Sequence, residues 1–398
     1  MIMKTFNDIN FKGKKALVRV DFNVPMNKEM IITDDSRIKA AIPTITKIIK
    51  DGGAVIVMSH RGRPKGEAND ALSLAHLVQH LSDLLKVKVQ FINDCIGKKA
   101  QKASSNLKNG EVLLLENLRF YKEEVEGDKH FAQELSKLGD IFVNDAFGTA
   151  HRAHASTAVI ASFFDQNKCF GSLMNKEIVN IDKVLLDAKR PLTAIMGGAK
   201  VSSKITIISR LLDTVDNLII GGGMTYTFVK AMGGEIGNSL VENDKLELAL
   251  EIISLAKAKN VRLLIPVDSV NGDSFSNDSK ILKSKIDQVQ EGYLGLDIGQ
   301  ETINLFSKTI EDSATILWNG PMGVFEMNNF SNGTKAIANS LVNATKKGAF
   351  TLVGGGDSVA AINKYNLSEQ VSYVSTGGGA MLEYLEGKEL PGVAAIKE

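Results

Sequence analysis

KKALVRVDFNV (residues 14–24), AAIPTITKIIKDGG (40–53), AVIVMSH (54–60), LSLAHLVQHLSDLL (72–85) and VQFIND (89–94) follow one another along the chain, and their succession decides the fold. Short β-branched runs that suit strands alternate with longer segments whose apolar residues recur at helical spacing. That order predicts βαβ units and a mainly parallel sheet. The rhythm resumes in PLTAIMGG (191–198), KITIISRLLDTV (204–215), NLIIGGG (217–223), LELALEIISLAKAKN (246–260), RLLIPVD (262–268), ATILWNG (314–320), TKAIANSLVNATKKG (334–348) and FTLVGGG (350–356), so a second α/β lobe is expected. Between the two, NKEIVNIDKVLLDAKRP (175–191) repeats Ile178, Ile181, Val184, Leu185 and Ala188 at helical spacing until Pro191 stops it. The expected fold is α/β, with two Rossmann-like lobes of mainly parallel sheet (1–174 and 191–382) joined by a hinge helix (175–190).

The chain has 398 residues, 44% of them hydrophobic and 23% charged. This is an ordinary composition for a soluble globular protein, long enough for two or three domains. A net charge of +1 gives no sign of a nucleic-acid or membrane-surface partner. The opening MIMKTFNDINFKGKKALV lacks the charged head and apolar run of a secretory signal, and no stretch has the ~18 continuous apolar residues of a membrane span. Cys95 and Cys169 are too few for a disulfide framework and are not spaced as metal ligands. A reducing, cytoplasmic setting is expected.

The halves differ in chemistry. Arg19, Arg37, Arg61, Arg63, Arg119 and Arg152 precede residue 170, whereas the glycine triplets 221–223, 354–356 and 377–379 follow it. Guanidinium forks grip carboxylates and phosphates, and glycine-rich turns after strands let backbone amides approach a phosphate chain. In an open parallel sheet, ligands bind beyond the carboxyl ends of the strands, where all these arginines except Arg19 fall. A set of cations at one sheet edge repels itself unless an anion lies between them, so the first lobe reads as a small-anion site. In RVDFNVP (19–25), Val20, Phe22 and Val24 alternate with Arg19, Asp21 and Asn23. Arg19, within the strand, fits either a structural ion pair or a ligand contact. Asp21 and Asn23 fall nearer the strand end, which Pro25 closes.

In the second lobe AIMGGAKVSSK (194–204) is expected to end a strand and open a helix, with Lys200 and Lys204 on one helix face. It is neither G-x-x-x-x-G-K-[ST] nor G-x-G-x-x-G, but strand, glycines, helix and lysine are the ingredients of a phosphate site. FTLVGGGDSVAAI (350–362) repeats the design with Asp357 at the helix start, either as a cap or as a ligand of a divalent cation beside phosphate. YVSTGGGAM (373–381) offers a third turn of amides. His76 and His80 have the i, i+4 spacing of a metal pair, without a third ligand.

RVDFNVP, SHRGRP, ENLRF, NDAFGTAHRAH, GGAKVSSK, GYLGLDIG, WNGPMGVFE, GGGDS and STGGGA together resemble phosphoglycerate kinase, in order and from end to end. The resemblance implies reversible phosphoryl transfer between ATP and 3-phosphoglycerate, giving 1,3-bisphosphoglycerate and ADP. It implies that Arg63, Arg119 and Arg152 hold the substrate phosphate, that Arg37 and Asn23 lie near its carboxylate and Asp21 near its hydroxyl, and that His60 belongs to the same basic cluster. For the nucleotide it implies Lys200 and Lys204 at the phosphates, Gly295 and Asn319 nearby, Glu326 at the ribose, Gly355, Gly356 and Ser358 in the phosphate turn, and Asp357 with Mg2+. Gly377 and Gly378 would meet the transferred phosphoryl group, with Arg37 and Lys200 neutralising its charge.

The segment 383–398 is expected to return to the first lobe, and the protein to act as a monomer on its two small-molecule substrates. The sequence departs from the family pattern at Arg61, usually apolar, at Ser358, usually threonine, and at Met381, often serine. A nicotinamide-dependent dehydrogenase would need the absent dinucleotide fingerprint. A non-catalytic scaffold that binds nucleotide and anion is the other alternative, but it would not need Arg37, Lys200 and Asp357, all of which are present.

Overall fold

The computed structural model describes residues 6–397. The chain divides into two compact units, Met1–Ile178 with Glu389–Glu398, and Val179–Lys388.

In the first unit six strands, β1 (Lys15–Val20), β2 (Ala54–Met58), β3 (Val89–Phe91), β4 (Val112–Leu114), β5 (Ile141–Asp145) and β6 (Lys168–Phe170), form one sheet in the order β3-β4-β2-β1-β5-β6. Every pairing is parallel. Helices α1 (Ser36–Lys50), α2 (Val78–Leu85), α3 (Gly97–Asn106), α4 (Lys122–Glu126) and α5 (Lys129–Ser136) fall between the strands. Central strands β2 and β5 are buried along their whole length, as a parallel sheet covered on both faces requires. One face joins alternate residues Val18, Val20, Val55 and Val57 to Ile38, Ile45 and Ile48 of α1, so the two-residue period of the strands meets the helical period of its cover. Strand order reverses between β1 and β5, which places the crevice for a ligand at their carboxyl ends.

Helix α6 (Ser172–Leu185) runs across the boundary between the units. It starts three residues before the expected 175 and ends before 190. Its beginning is set by tertiary partners that sequence periodicity does not contain: the Asp145 carboxylate accepts from Met174 N at 3.0 Å, and Thr44 Oγ1 from Ser172 N at 2.8 Å. Its end comes where Asp187 N turns back to Asp182 O, five residues behind.

In the second unit β7 (Leu192–Met196), β8 (Asn217–Ile220), β9 (Glu235–Ile236), β10 (Arg262–Leu264), β11 (Asp268–Gly272), β12 (Ile281–Lys285), β13 (Gln288–Val289), β14 (Leu294–Ile298), β15 (Thr315–Asn319), β16 (Phe350–Val353) and β17 (Tyr373–Val374) make three sheets. The main sheet is parallel throughout, in the order β10-β8-β7-β15-β16-β17. Counted within the sheet this is 3-2-1-4-5-6, the Rossmann order, with its switch point between β7 and β15. The first unit differs in one placement: its fourth strand lies between the second and third, where the Rossmann order has it beside the first. An antiparallel sheet β12-β11-β14 and a short parallel pair β13-β9 complete the unit.

Its helices are α7 (Ile205–Leu211), α8 (Thr225–Ala231), α9 (Leu246–Ala258), α10 (Gln300–Glu311), α11 (Asn332–Lys346), α12 (Gly356–Lys364) and α13 (Gly379–Leu385). Trp318, Ile195 and Val353 of the sheet pack on Phe306, Ile337 and Leu341 of α10 and α11. Finally α14 (Pro391–Lys397) lies in the first unit, where Asn144 Nδ2 donates to Gly392 O and Gly392 N donates to Ala150 O. Among the described residues no helix is long and apolar enough to cross a membrane.

Candidate active site

Strand β1 stops at Val20, not at Pro25, because its neighbours stop there: Val20 pairs with Asp145, the last residue of β5, and Arg19 with Met58, the last of β2. The next residues leave the ladder, with Val24 N donating to Phe22 O at 2.9 Å, Phe22 and Val24 buried, and Asp21 and Asn23 half-buried. Arg37 enters from the first turn of α1, and its Nη1 donates to Asp21 Oδ2 at 2.8 Å and to Asn23 O at 3.4 Å. Asn23 Oδ1 accepts from Gly62 N at 2.9 Å, and Arg119 Nη1 donates to Gly62 O at 2.7 Å. Arg63, next along the chain, stands exposed. Arg63, Arg119 and Arg152 have no ion-pair partner among the described residues, and Arg119 Nε is buried without an acceptor.

Arg19 is a structural residue. It is fully buried, 3.8 Å from the equally buried Glu124, and donates to Ser156 Oγ at 2.8 Å and to Val20 O at 2.5 Å. Its Nη2 lies 3.3 Å from His60 Nδ1. A guanidinium only donates, so Nδ1 accepts and the His60 proton sits on Nε2. Burial, reinforced by Arg19, Arg119 and Arg37, holds the His60 pKa well below its usual range. His60 is therefore a neutral donor at pH 7 within the basic cluster. His154 is pushed down to about 4, first by burial and then by Arg19, Arg119 and Arg152. Arg119 falls to about 10 through burial and the nearby Arg19 and Arg152, and stays charged at neutral pH. Arg37 and Arg119 act on His60, and Arg152 acts on Arg119, so the four share one electrostatic neighbourhood.

On the second unit, each glycine triplet joins a strand end to a helix: 221–223 lies between β8 and α8, 354–356 runs from β16 to the first residue of α12, and 377–379 follows β17 and ends at the first residue of α13. Lys200 and Lys204 do not share a helix face as the sequence suggested. The helix starts only at Ile205, with Lys204 at its N-cap position and Lys200 exposed in the preceding bend. Gly198, at φ 114°, turns the chain where a regular helix would have continued. Lys204 Nζ bonds to Asn319 Oδ1, and Asn319 Nδ2 donates to Gly354 O at 3.0 Å, so the buried Asn319 ties the lysine to a triplet. Ser358 is buried as well, and its hydroxyl accepts from Gly320 N at 2.5 Å. Asp357, in the first turn of α12, makes no side-chain cap and stands exposed. Burial lowers the Lys204 pKa, and the charge of Asp357 opposes this. Gly377 N donates to Ser375 Oγ at 3.1 Å, and Gly378 adopts φ 52° at the N-cap of α13.

Beside these turns lies a mainly apolar cleft of about 260 Å³, walled by Leu240, Leu296, Met322 and Val324 with Glu326 and Asp357 also in its lining. Gly295 also lines it, at a position where a Cβ would sit 1.6 Å from Tyr226 Oη and so exclude any other residue. Apolar walls with a few polar groups suit a flat heterocycle carrying a polar tail. His76 and His80 bond elsewhere, to Asp70 O and to Asp35.

Residues 6–388 match the family model described as Phosphoglycerate kinase. Proteins of that description from Porphyromonas gingivalis and Chlorobaculum tepidum are 54% and 52% identical to the chain, covering 99% and 100% of it and all of their own length. The solved phosphoglycerate kinase of Coxiella burnetii superposes with a TM-score of 0.91 at 42% identity, covering 99% of each chain. That of Pyrococcus horikoshii gives 0.82 at 31%, covering 99% of this chain and 98% of its own.

The chain belongs to the phosphoglycerate kinase family. Its reaction is reversible phosphoryl transfer between ATP and 3-phosphoglycerate. Sequence reading missed the support beneath the phosphoglycerate kinase face: Glu124, Ser156 and Asn117. Glu124 sits in the run YKEEVEGD, which looks like a solvated helix surface, and only its full burial distinguishes it.

Proposed function

We propose that the first unit binds 3-phosphoglycerate with its phosphate on Arg63, Arg119 and Arg152, its carboxylate near Arg37 and Asn23, and its hydroxyl at Asp21. The observation that carries this reading is three arginines without acid partners among the described residues, in the unit whose sheet edge also holds Arg37 and a neutral His60. An oxyanion would relieve their repulsion and supply the acceptor that Arg119 Nε lacks. Adenine and ribose enter the cleft lined by Gly295 and Glu326, and Lys200, Lys204 and the Gly355 and Gly356 amides meet the phosphates, with Asn319 and Ser358 fixing the turns from beneath.

Asp357 is a carboxylate beside amides and lysines suited to phosphate, which fits a site where Mg2+ is shared between one carboxylate and the nucleotide. Among the described residues no group of three or more His, Cys, Asp or Glu could hold a metal by itself. When bound, the ion neutralises phosphate charge.

The acceptor carboxylate has a pKa of roughly 3.5 and is ionised at pH 7, so no general base is needed. The protein supplies orientation and charge. Arg37 from one unit, and Lys200 with the Gly377 and Gly378 amides from the other, stabilise the loose, highly charged transition state. Because these groups belong to separate units, catalysis requires closure, which also keeps water from the phosphoryl group. One chain supplies both faces, so a monomer suffices.

The test is phosphoryl transfer from Mg-ATP to 3-phosphoglycerate, with the acyl phosphate trapped by hydroxylamine. Arg37→Ala is expected to lower kcat by about 10²- to 10³-fold, the range for losing one preorganised charge donor. Product formation by Arg37→Ala at the wild-type rate would overturn the charge-stabilisation reading.

A further inference from the structure

We infer that Arg61 is a positioning residue for 3-phosphoglycerate: with Asn117 it clasps the loop 62–72 at its base and so sets the placement of Arg63 and Arg119. The inference rests on the assignment of those two arginines to the substrate phosphate.

The loop leaves the sheet after β2 and returns at Ser73, and few bonds of its own hold it. Within it, Glu67 N donates to Pro64 O at 3.2 Å and Leu72 N to Asn69 O at 2.8 Å. Its base, by contrast, is closed several times over. The Arg61 guanidinium crosses from one limb to the other, where Nη1 donates to Ala71 O at 2.8 Å and lies 3.4 Å from Ser73 O. Asn117 uses both ends of its amide. Oδ1 accepts from Arg61 N and Arg119 N, each at 3.1 Å, while Nδ2 donates to Arg61 O at 2.7 Å and Leu72 O at 3.0 Å. Two lone pairs and two N–H groups are all an amide has, so Asn117 is fully used. Glu116 fastens the return limb by accepting from Ser73 Oγ at 2.7 Å and Leu74 N at 2.9 Å.

The clasp reaches the proposed substrate groups directly. Asn117 holds the backbone of Arg61 and Arg119 through one oxygen, and Arg119 Nη1 in turn holds Gly62 O, the carbonyl of the peptide that leads to Arg63. Gly62 has φ 63°, and a Cβ there would come within 2.7 Å of Leu72 Cδ2, so the limbs touch at this point. Arg61 is only 6% exposed and has no ion-pair partner among the described residues. Burying a guanidinium for two backbone carbonyls costs more than an apolar filler of the same space. What the arginine adds is a span between the limbs that an apolar side chain cannot make.

The experiment measures kcat and both KM values for the full chain carrying Arg61→Met, Arg61→Lys or Arg63→Ala, each with its melting temperature. Arg61→Met is expected to raise the 3-phosphoglycerate KM about tenfold, the low end for one lost hydrogen bond from a charged donor, with the ATP KM and kcat within about twofold of wild type. Arg61→Lys, which still carries a donor, is expected to recover part of the loss. If Arg61→Met does not fold, Arg61→Lys decides, through a KM raised about two- to fivefold at a wild-type melting temperature. A 3-phosphoglycerate KM unchanged by Arg61 variants while Arg63→Ala raises it overturns the clasp alone, and so does an equal rise in both KM values. No effect of Arg63→Ala overturns the substrate-arginine assignment, and the clasp with it.

Discussion

Arg19 shows how one residue fixes the properties of others. A charged side chain in the last paired turn of a buried strand is costly unless paired, and Glu124 supplies the pair from a helix more than a hundred residues away. Replacing Arg19 by Met leaves Glu124 buried without its counter-charge, and the expected loss of stability is about 3–5 kcal/mol, seen as a shift of the urea midpoint. A midpoint unchanged by Arg19→Met would mean that Ser156 and His154, whose Nδ1 lies 3.8 Å from Glu124 Oε1, satisfy the carboxylate without the arginine. The same substitution frees His60 Nδ1. The sequence showed Arg19, Asp21 and Asn23 as an anomalous polar face, and it showed the arginine set, because alternation and strand ends are local properties. It could not separate Arg19 from the ligand-facing residues, since that depends on where Glu124 and Ser156 arrive in space.

At the scale of elements, the strand and helix succession was legible because parallel strands buried on both faces must be short and apolar, and their helices must be amphipathic. Boundaries set by tertiary contacts were not. Helix α6 begins where Asp145 and Thr44 receive its first amides, and α7 begins after Lys204, because the Gly197–Gly198 turn carries the chain past the sheet edge first. Asp145 has a further consequence. Burial raises its pKa to about 7 from an ordinary 3.8, and the bonds from Thr44, Met174 and Leu173 only partly oppose this. The folded chain therefore keeps a proton that the unfolded chain gives up above pH 3.8. The stabilising contribution is full below pH 3.8 and is lost as pH rises through about 7. Asp145→Asn removes this titration, so its melting temperature relative to wild type is expected to climb between pH 5 and pH 8. A difference that stays flat across that window would show the carboxylate already ionised in the fold.

For the molecule as a whole, the family was readable from nine motifs in order, and the clustering of arginines in one half and glycine triplets in the other from their positions along the chain. The need for both halves in one reaction predicts that closure requires both substrates. Small-angle scattering is expected to show a smaller radius of gyration with 3-phosphoglycerate and Mg-nucleotide together than with either alone. Equal radii in all states would remove closure from the mechanism.

The tie between Asn144 and Gly392 bears on the order in which the protein can be finished. The second unit is one continuous stretch, whereas the first is closed by residues 389–398, which a ribosome makes only after the whole of the second. Synthesis proceeds at roughly 5–20 residues per second. The half that begins first must therefore wait on the order of ten seconds or more, with α14 missing and Asn144 Nδ2 lacking its Gly392 acceptor, while its younger neighbour has all its own residues in hand.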